Sequence, residues 1–264
     1  LRLRCRHRDR QVRGLAYVKG TELAGLMALA RSMYFSNETI GRFCESASAG
    51  QVRAMTGMIE DELAVRSRRK RERLLRKARL PAVKTFEGYD FSQVAFPDGY
   101  GAEDLMSLAF VTEAQDFVFH GRTGRGKTHL AIAIGLACVE RGMEARFFTA
   151  AELVMALTRA GREHRLETLL TDLSRADLLI VDELGYVPLD VEGARLLFQA
   201  MSGCYERRSL VVTTNIEFSR WGTVFGDDKL AAALIDRIVH HGRLVEFNGT
   251  SHRMDTALML GKSE

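Results

Sequence analysis

After Gly99, short apolar segments alternate with helical segments towards the end of this 264-residue chain. The expected strands cover 116–120, 145–149, 176–182, 209–215 and 243–247. Continuously apolar strands are buried on both faces, and the intervening helices supply the crossovers that parallel strands need. The pattern therefore predicts an α/β fold whose central parallel sheet is covered by helices, and a hydrophobic content of 46% is enough for a packed core.

The part of the chain before this alternation is expected to be helical. Residues 19–80 follow helical periodicity, with Ser36 and Asn37 as candidate N-caps and Pro81 closing a long basic helix. The connector that follows is rich in proline and aromatic residues, which favours an ordered segment packed on its neighbours. We expect a basic N-terminal segment at 1–18, a small helical basic domain at 19–84 and the α/β domain at 85–264.

The net charge of +4 is unevenly distributed along the chain. Residues 1–84 carry 20 Lys and Arg against 8 Asp and Glu, a balance of +12, so the remainder carries −8. The densest basic run is RSRRKRERLLRKAR at 66–79, whose arginines are suited to neutralise DNA phosphates without reading bases. A solvated helix, or an ion-paired docking surface for a protein partner, is the alternative interpretation of this run.

Composition also excludes several classes of protein. The four cysteines are scattered without a Cys-x-x-Cys pair, so they indicate neither a zinc site nor a disulfide framework and favour reduced, cytoplasmic thiols. An uninterrupted apolar stretch of about 18 residues, which a membrane span requires, is missing, and so is the apolar core of a signal peptide. We therefore expect a cytoplasmic protein that does not associate with a membrane.

The segment GRTGRGKT at 121–128 has the spacing G-x-x-x-x-G-K-[ST], with an expected strand before it and a helix after it. In such a loop the backbone N–H groups surround the β-phosphate, Lys127 reaches the β- and γ-phosphate oxygens, and Thr128 ligates Mg²⁺. A glycine turn without a ligand is the alternative. We expect ATP and Mg²⁺ as cofactors, bound through Gly121, Arg122, Thr123, Gly124, Arg125, Gly126, Lys127, Thr128 and His129.

Two loop arginines, Arg122 and Arg125, either strengthen phosphate binding or crowd the loop.

Downstream, Asp182 and Glu183 end an apolar strand, where Asp182 is suited to hold Mg²⁺ and Glu183 to polarise the attacking water. An acidic helix cap is the alternative. Asn215 ends another apolar strand, where its amide can sense the γ-phosphate or form an ordinary turn.

Late arginines complete the candidate catalytic set. Arg237 is a candidate finger, presented in trans to the phosphates of a neighbouring subunit, and Arg253 is a candidate γ-phosphate sensor in cis. Surface or ion-paired arginine is the alternative for each, and Arg243 is a rival for either role. His240 and His241 are expected to cap helix carbonyls or to interact with the helix dipole, in preference to binding metal.

Several long motifs occur in an order that resembles the IstB-type transposition helper ATPases of insertion sequences, which are AAA+ proteins related to the DnaC and DnaI helicase loaders. The motifs are KTFEGYDFS, GKTHLAIAIG, RFFTAAEL, LLIVDELGYVPLD and TTNIEFSRWGTVFGDDKLAAALIDRIVHHG, and the resemblance extends from about residue 84 to residue 260. It implies a P-loop core, ATP hydrolysis to ADP and phosphate, homo-oligomer assembly on duplex DNA, and recruitment or stimulation of a transposase.

By the same resemblance, Lys127 and Thr128 match the first Walker motif and Asp182 and Glu183 the second. Asn215 matches the first sensor, Arg237 the finger and Arg253 the second sensor. Arg125 and Asp255 depart from the family pattern, which has a small residue and a further basic residue there. The connector residues Tyr89, Asp90 and Phe91 either line the base pocket or pack in the core.

Other functions fit parts of the sequence. A helicase loader of the DnaC or DnaI type would use the same ATPase core. A small-molecule kinase would explain the P-loop but not the Asp-Glu pair, Asn215 or the basic run. A DNA-binding scaffold that does not hydrolyse ATP would explain the unusual loop arginines. We expect slow intrinsic ATP hydrolysis that duplex DNA stimulates.

Overall fold

The computed structural model describes residues 20–250, which separate into two compact units that divide between Lys70 and Arg71. This division falls before residue 84, where the sequence predicts the end of the helical domain. The expected domains at 19–84 and 85–264 stay a prediction. The expected basic segment at 1–18, Arg253 and Asp255 lie outside the described residues.

The first unit is helical. Its described part contains α1 at 20–32, α2 at Asn37–Ser46 and the first part of α3, which spans Ala49–Ala78. Ser36 is the N-cap of α2, because its hydroxyl accepts a hydrogen bond from the backbone N–H of Thr39 at 3.2 Å. The apolar faces of these helices form one small core, made by Leu26, Ala30, Ile40, Ala47, Val52 and Ile59.

The second unit is built on a six-stranded sheet. Its strands are β1 Val94–Ala95, β2 Asp116–His120, β3 Ala145–Thr149, β4 Leu178–Leu184, β5 Ser209–Thr214 and β6 Gly242–Phe247. The order across the sheet is β1-β6-β2-β5-β4-β3, and neighbouring strands are parallel except for β1, which pairs antiparallel with β6. The predicted parallel sheet is confirmed, and β2 and β3 have the predicted limits.

Helices join these strands. They are α4 Ala102–Ser107, α5 Ala109–Thr112, α6 Lys127–Glu140, α7 Ala150–Arg162, α8 Leu166–Arg175, α9 Val191–Ser202, α10 Trp221–Phe225 and α11 Asp228–His241. α4 and α5 are separate helices because the left-handed backbone of Leu108 (φ 58°) ends α4. No helix in the described part of the chain is both long and apolar enough to cross a membrane.

Alternate residues of each strand point to opposite faces, so the sheet has a core on each side. Val118, Val181 and Val212 belong to the core that includes residues of α7, α9 and α11. Phe117, Ile180 and Val211 belong to the other core, which includes residues of α6. Because β2, β5 and β4 are parallel neighbours, their carboxyl ends meet at one edge of the sheet, where ligands bind in open α/β folds.

Candidate nucleotide site

The loop between β2 and α6 has the backbone that a phosphate-binding loop requires. Gly126 precedes the first residue of α6 and has φ +88°, in the left-handed region that favours glycine. A Cβ atom there would lie 2.7 Å from the Tyr89 hydroxyl, so a larger side chain would also displace the tyrosine. Gly124 has a similarly positive φ of 85°. The loop therefore begins α6 with its backbone N–H groups available at the helix N-terminus.

Lys127 lies inside this loop and is only 6% exposed. Its ammonium donates hydrogen bonds to the carbonyl oxygens of Gly121 at 2.5 Å and Arg122 at 2.8 Å. The side chain therefore folds back across the loop, and its charge is held where the sequence predicts phosphate oxygens to bind.

A buried carboxylate faces the start of α6. Asp182, near the carboxyl end of β4, is 2% exposed and accepts a hydrogen bond from the Thr128 hydroxyl at 3.0 Å. The Thr213 hydroxyl, on neighbouring β5, donates to the same carboxylate at 2.5 Å. Thr213 was not predicted as a site residue, although it belongs to a threonine pair near the end of an apolar strand.

Burial raises the pKa of Asp182 above its usual value. Hydrogen bonds from Thr213, from Thr128 and from the backbone N–H of Glu183 oppose this shift, as does the charge of Lys127. A cation next to Asp182 would favour the ionised carboxylate in the same way. Carboxylate and hydroxyl oxygens are ligands that Mg²⁺ accepts, so the donor set fits this ion.

Glu183 follows Asp182 and is partly exposed beside the loop. Its backbone is left-handed (φ 60°), which is uncommon for a residue with a side chain, and its N–H donates to the Thr213 hydroxyl at 3.0 Å. Thr213 therefore fixes both acidic residues. In the turn that follows, the Tyr186 hydroxyl is hydrogen-bonded to the Thr123 hydroxyl at 2.8 Å, which joins the β4 turn to the loop.

A cavity of about 620 Å³ lies beside the loop and Glu183, and this volume is within the usual range for nucleotide-sized ligands. Thr123 to His129, Glu183 and Thr213 line one part of it, and Lys84, Tyr89 and Asp90 line another. Phe91 is not among its lining residues and instead packs edge-on against Tyr89, with ring centres 4.8 Å apart. Of the two uses considered for Phe91, the structure therefore shows core packing.

Three of the expected contacts border a neighbouring cavity of about 370 Å³ instead. Asn215 is exposed at the end of β5 and lines this second cavity together with Gly121 and Arg122. Arg125 lines both cavities, and its guanidinium donates to the backbone carbonyl of Phe247 at 3.0 Å. The loop arginines thus face the β6 side of the loop at least as much as the main cavity.

Among the described residues, Arg237 and Arg243 line neither of these two cavities. Arg237 donates to the Ser202 hydroxyl at 2.9 Å, and its guanidinium carbon lies 4.9 Å from the centre of the Phe198 ring. Arg243 lies over the Tyr100 ring at 4.7 Å and donates to the side chain of Gln115. A finger role for Arg237 in trans stays a prediction, as does the role of Arg253, which lies outside the described residues.

A family model described as an IstB-like ATP binding protein matches residues 24–259. The chain belongs to this family. In its α/β core, β5 lies between the phosphate-loop strand β2 and the acidic strand β4.

Curated relatives of this IstB-like protein are named as ATP-binding proteins of insertion sequences. The IS21 protein of Pseudomonas aeruginosa is 40% identical over 196 residues, which cover 74% of each chain. The IS5376 protein of Geobacillus stearothermophilus is 36% identical over 75% of this chain and 78% of its own length. Among solved structures, that of DnaI is 19% identical with a TM-score of 0.49, covering 64% of this chain and 90% of that chain.

The hydrogen bond from Arg125 to Phe247 predicts that Arg125 contributes more to the stability of the fold than to ATP binding. Replacing Arg125 with Ala should lower the free energy of unfolding by about 1–3 kcal/mol, because a charged hydrogen bond to Phe247 is removed. ATP affinity should change by less than about threefold, or about 0.7 kcal/mol. Denaturation followed by the fluorescence of the chain's single tryptophan, with a nucleotide titration of the same samples, tests both parts. Arg122→Ala, an exposed neighbour, is the matched control; a large affinity loss confined to Arg125→Ala would show that this guanidinium binds phosphate instead.

Proposed function

We propose that this protein is an ATP-dependent, DNA-binding helper of transposition that assembles on DNA as a homo-oligomer and recruits or stimulates a transposase. The observation that carries the ATPase part is the connected set of Thr128, Asp182 and Thr213 beside Lys127 and Glu183. The relatives named for insertion sequences support the transposition part.

In this proposal the loop binds the phosphates of ATP. Lys127 exchanges its two carbonyl acceptors for β- and γ-phosphate oxygens, because an ammonium forms stronger hydrogen bonds with anionic oxygens than with neutral carbonyls. Thr128 and Asp182 hold Mg²⁺, which when bound neutralises charge on the phosphate oxygens. Because the Thr128 and Thr213 hydroxyls already orient the Asp182 carboxylate, this side chain needs little rearrangement to bind the ion.

Glu183 is the group proposed to activate water. Its carboxylate accepts a proton from the water whose oxygen attacks the γ-phosphorus, while the bond from that phosphorus to the β-bridging oxygen breaks and ADP leaves. The fixed backbone at Glu183 supports this role, because its N–H is held by Thr213. Asn215 is proposed to report the γ-phosphate from the adjacent cavity.

Arginines are proposed to complete the site across subunits. Arg237 would act as the finger in trans, which requires release of its contacts with Ser202 and Phe198. Arg253 would act in cis as the second sensor. Arg243 is a weaker candidate because its guanidinium is already held between Tyr100 and Gln115.

The basic run at 66–79 is proposed to bind duplex DNA without sequence preference. Some of its charges are paired within the chain, as in the Arg71–Glu140 and Lys77–Glu144 bridges at 2.9 and 3.1 Å. Other basic residues of the run are exposed, with neither an ion pair nor a cation–π contact among the described residues: Arg68, Arg69, Lys70, Arg73 and Arg76. Exposed, unpaired cations are available to phosphates, and binding through them depends steeply on salt.

Removing two of these charges tests the interface. The double variant Arg68→Gln/Arg69→Gln should weaken duplex binding and reduce the slope of log K against log salt by about 0.9 for each phosphate that is no longer neutralised. Fluorescence anisotropy with a labelled duplex, across a salt series with ATP, with ADP and without nucleotide, measures this. Arg162→Gln/Arg165→Gln removes two exposed charges elsewhere and should leave the slope unchanged. Equal slopes for both double variants and the parent protein would exclude the run as the DNA contact.

A helicase loader is the second candidate. A loader would use the same ATPase site, so the two functions differ in the partner protein, which is a transposase for the helper and a helicase for the loader. The helper proposal predicts that the protein stimulates strand transfer by its cognate transposase in an ATP-dependent manner. Stimulation of helicase loading without an effect on strand transfer would favour the loader.

A further inference from the structure

Three potential metal ligands converge away from the nucleotide cavity. His240 and His241 lie in the last turn of α11, and Glu206 lies in the turn between α9 and β5. One ligand atom from each side chain can be chosen so that all three lie within 4.8 Å of one another. The His241 Nε2 atom is 3.2 Å from a carboxylate oxygen of Glu206, so two separate elements of the fold already meet here.

Tyr205 lies beside both imidazoles. Its hydroxyl is 3.2 Å from His240 Nδ1, and its ring centre lies 6.4 Å from that of His240 and 5.4 Å from that of His241. The two imidazoles are nearly perpendicular, with centres 4.2 Å apart. A histidine ligand commonly uses its second ring nitrogen in a hydrogen bond that fixes its orientation, and the Tyr205 hydroxyl is placed to do this for His240.

We propose that Glu206, His240 and His241 bind one Zn²⁺ ion. Two imidazoles and a carboxylate are a ligand set that Zn²⁺ accepts, with a fourth position left for water. Ligand atoms about 2.0–2.1 Å from a tetrahedral zinc are about 3.3 Å apart. The distances between the ligand atoms, at most 4.8 Å here, would therefore shorten by roughly 1.5 Å at most on binding. Glu206 and His240 are exposed and can rotate to achieve this. The carboxyl end of α11 also attracts a cation.

The bound ion would connect the end of α11 to the turn that enters β5. Because α11 carries Arg237 and is followed directly by β6, this connection fixes the helix on which the proposed finger lies. Ordinary ion pairing between a protonated His241 and Glu206 is the competing explanation for the cluster. That explanation requires no metal, and it predicts no change on adding one.

Titration of metal-free protein, without an affinity tag, tests the site. Co²⁺ is added first, because its visible absorption reports the geometry of the ligands, and Zn²⁺ then competes for the same site in a calorimeter. We expect one ion per chain, with binding weakened about tenfold or more in His240→Ala, His241→Ala and Glu206→Gln, or at least about 1.4 kcal/mol. Wild-type protein should also melt at a higher temperature with Zn²⁺.

His164→Asn is the matched control, since His164 is exposed on another part of the same unit and asparagine tolerates its left-handed backbone (φ 54°). This control should bind metal as the parent protein does. Circular dichroism and nucleotide binding show whether each variant is folded. Absence of stoichiometric binding, or equal binding in the three site variants and the control, would overturn the proposal.

Discussion

Replacing Lys127 with Ala should abolish detectable ATP binding, with affinity reduced by at least about a hundredfold. Lys127 is 6% exposed, and its ammonium donates to the carbonyls of Gly121 and Arg122. Exchanging those neutral acceptors for phosphate oxygens gives charge-assisted hydrogen bonds worth about 1.5–3 kcal/mol each. Alanine loses both bonds and the charge together. Calorimetric titration with ATP and Mg²⁺ measures the change directly.

Lys127→Ala also leaves two loop carbonyls without their donor, so the fold must be checked separately. Thermal unfolding without nucleotide shows whether the loop change alone destabilises the protein. Lys229→Ala, at an exposed lysine of α11, is the matched control and should bind ATP normally. Normal ATP affinity in a folded Lys127→Ala protein would show that the loop does not bind the nucleotide.

Replacing Glu183 with Gln should nearly stop ATP hydrolysis while leaving ATP binding intact. The amide keeps the size of the side chain but cannot accept the proton from water, and a positioned general base contributes about 10²–10⁴-fold to the rate. The backbone of Glu183 is held by Thr213 and is not expected to move. Phosphate release under saturating ATP, with binding measured on the same samples, separates the two effects.

Glu192→Gln is the control for the loss of a carboxylate, because Glu192 is an exposed residue in the first turn of α9. It should hydrolyse ATP at the parent rate. If Glu183→Gln retained full turnover, the water-activating group would have to be another residue. If ATP affinity fell together with the rate, Glu183 would contribute to binding and not specifically to the chemical step.

Most of the sheet could be predicted from sequence because its signal is local. The limits of β2 and β3 are the predicted ones, since the apolar run of β2 ends at the glycine-rich loop and that of β3 ends where α7 begins. β4 runs from Leu178 to Leu184, later than predicted, and the Asp177 N–H just before it donates to the backbone carbonyl of Glu144. β1 was not predicted, since it contains only Val94 and Ala95 and exists through pairing with β6.

The site was predictable in its motifs but not in its connections. The glycine spacing, Lys127 and the acidic pair were read from short segments. The structure places Lys127 and Glu183 around one cavity, and Asp182 is buried beside it, where the Thr128 hydroxyl donates to its carboxylate. The role of Thr213 depends on β5 lying beside β4, which sheet order decides. The acceptor of Arg125 is the carbonyl of Phe247, which lies 122 residues away in the sequence. Such long-range partners leave no periodic or local pattern to detect.

The most direct test of the account is ATP turnover by the purified protein with and without duplex DNA, at low and moderate salt, beside Glu183→Gln. The account predicts slow hydrolysis that DNA accelerates, more at low salt than at moderate salt, and that disappears in the variant. Transfer of phosphate to a small metabolite without any effect of DNA would contradict it and indicate a kinase. Intact ATP and DNA binding without turnover under any condition would also contradict it and indicate a scaffold.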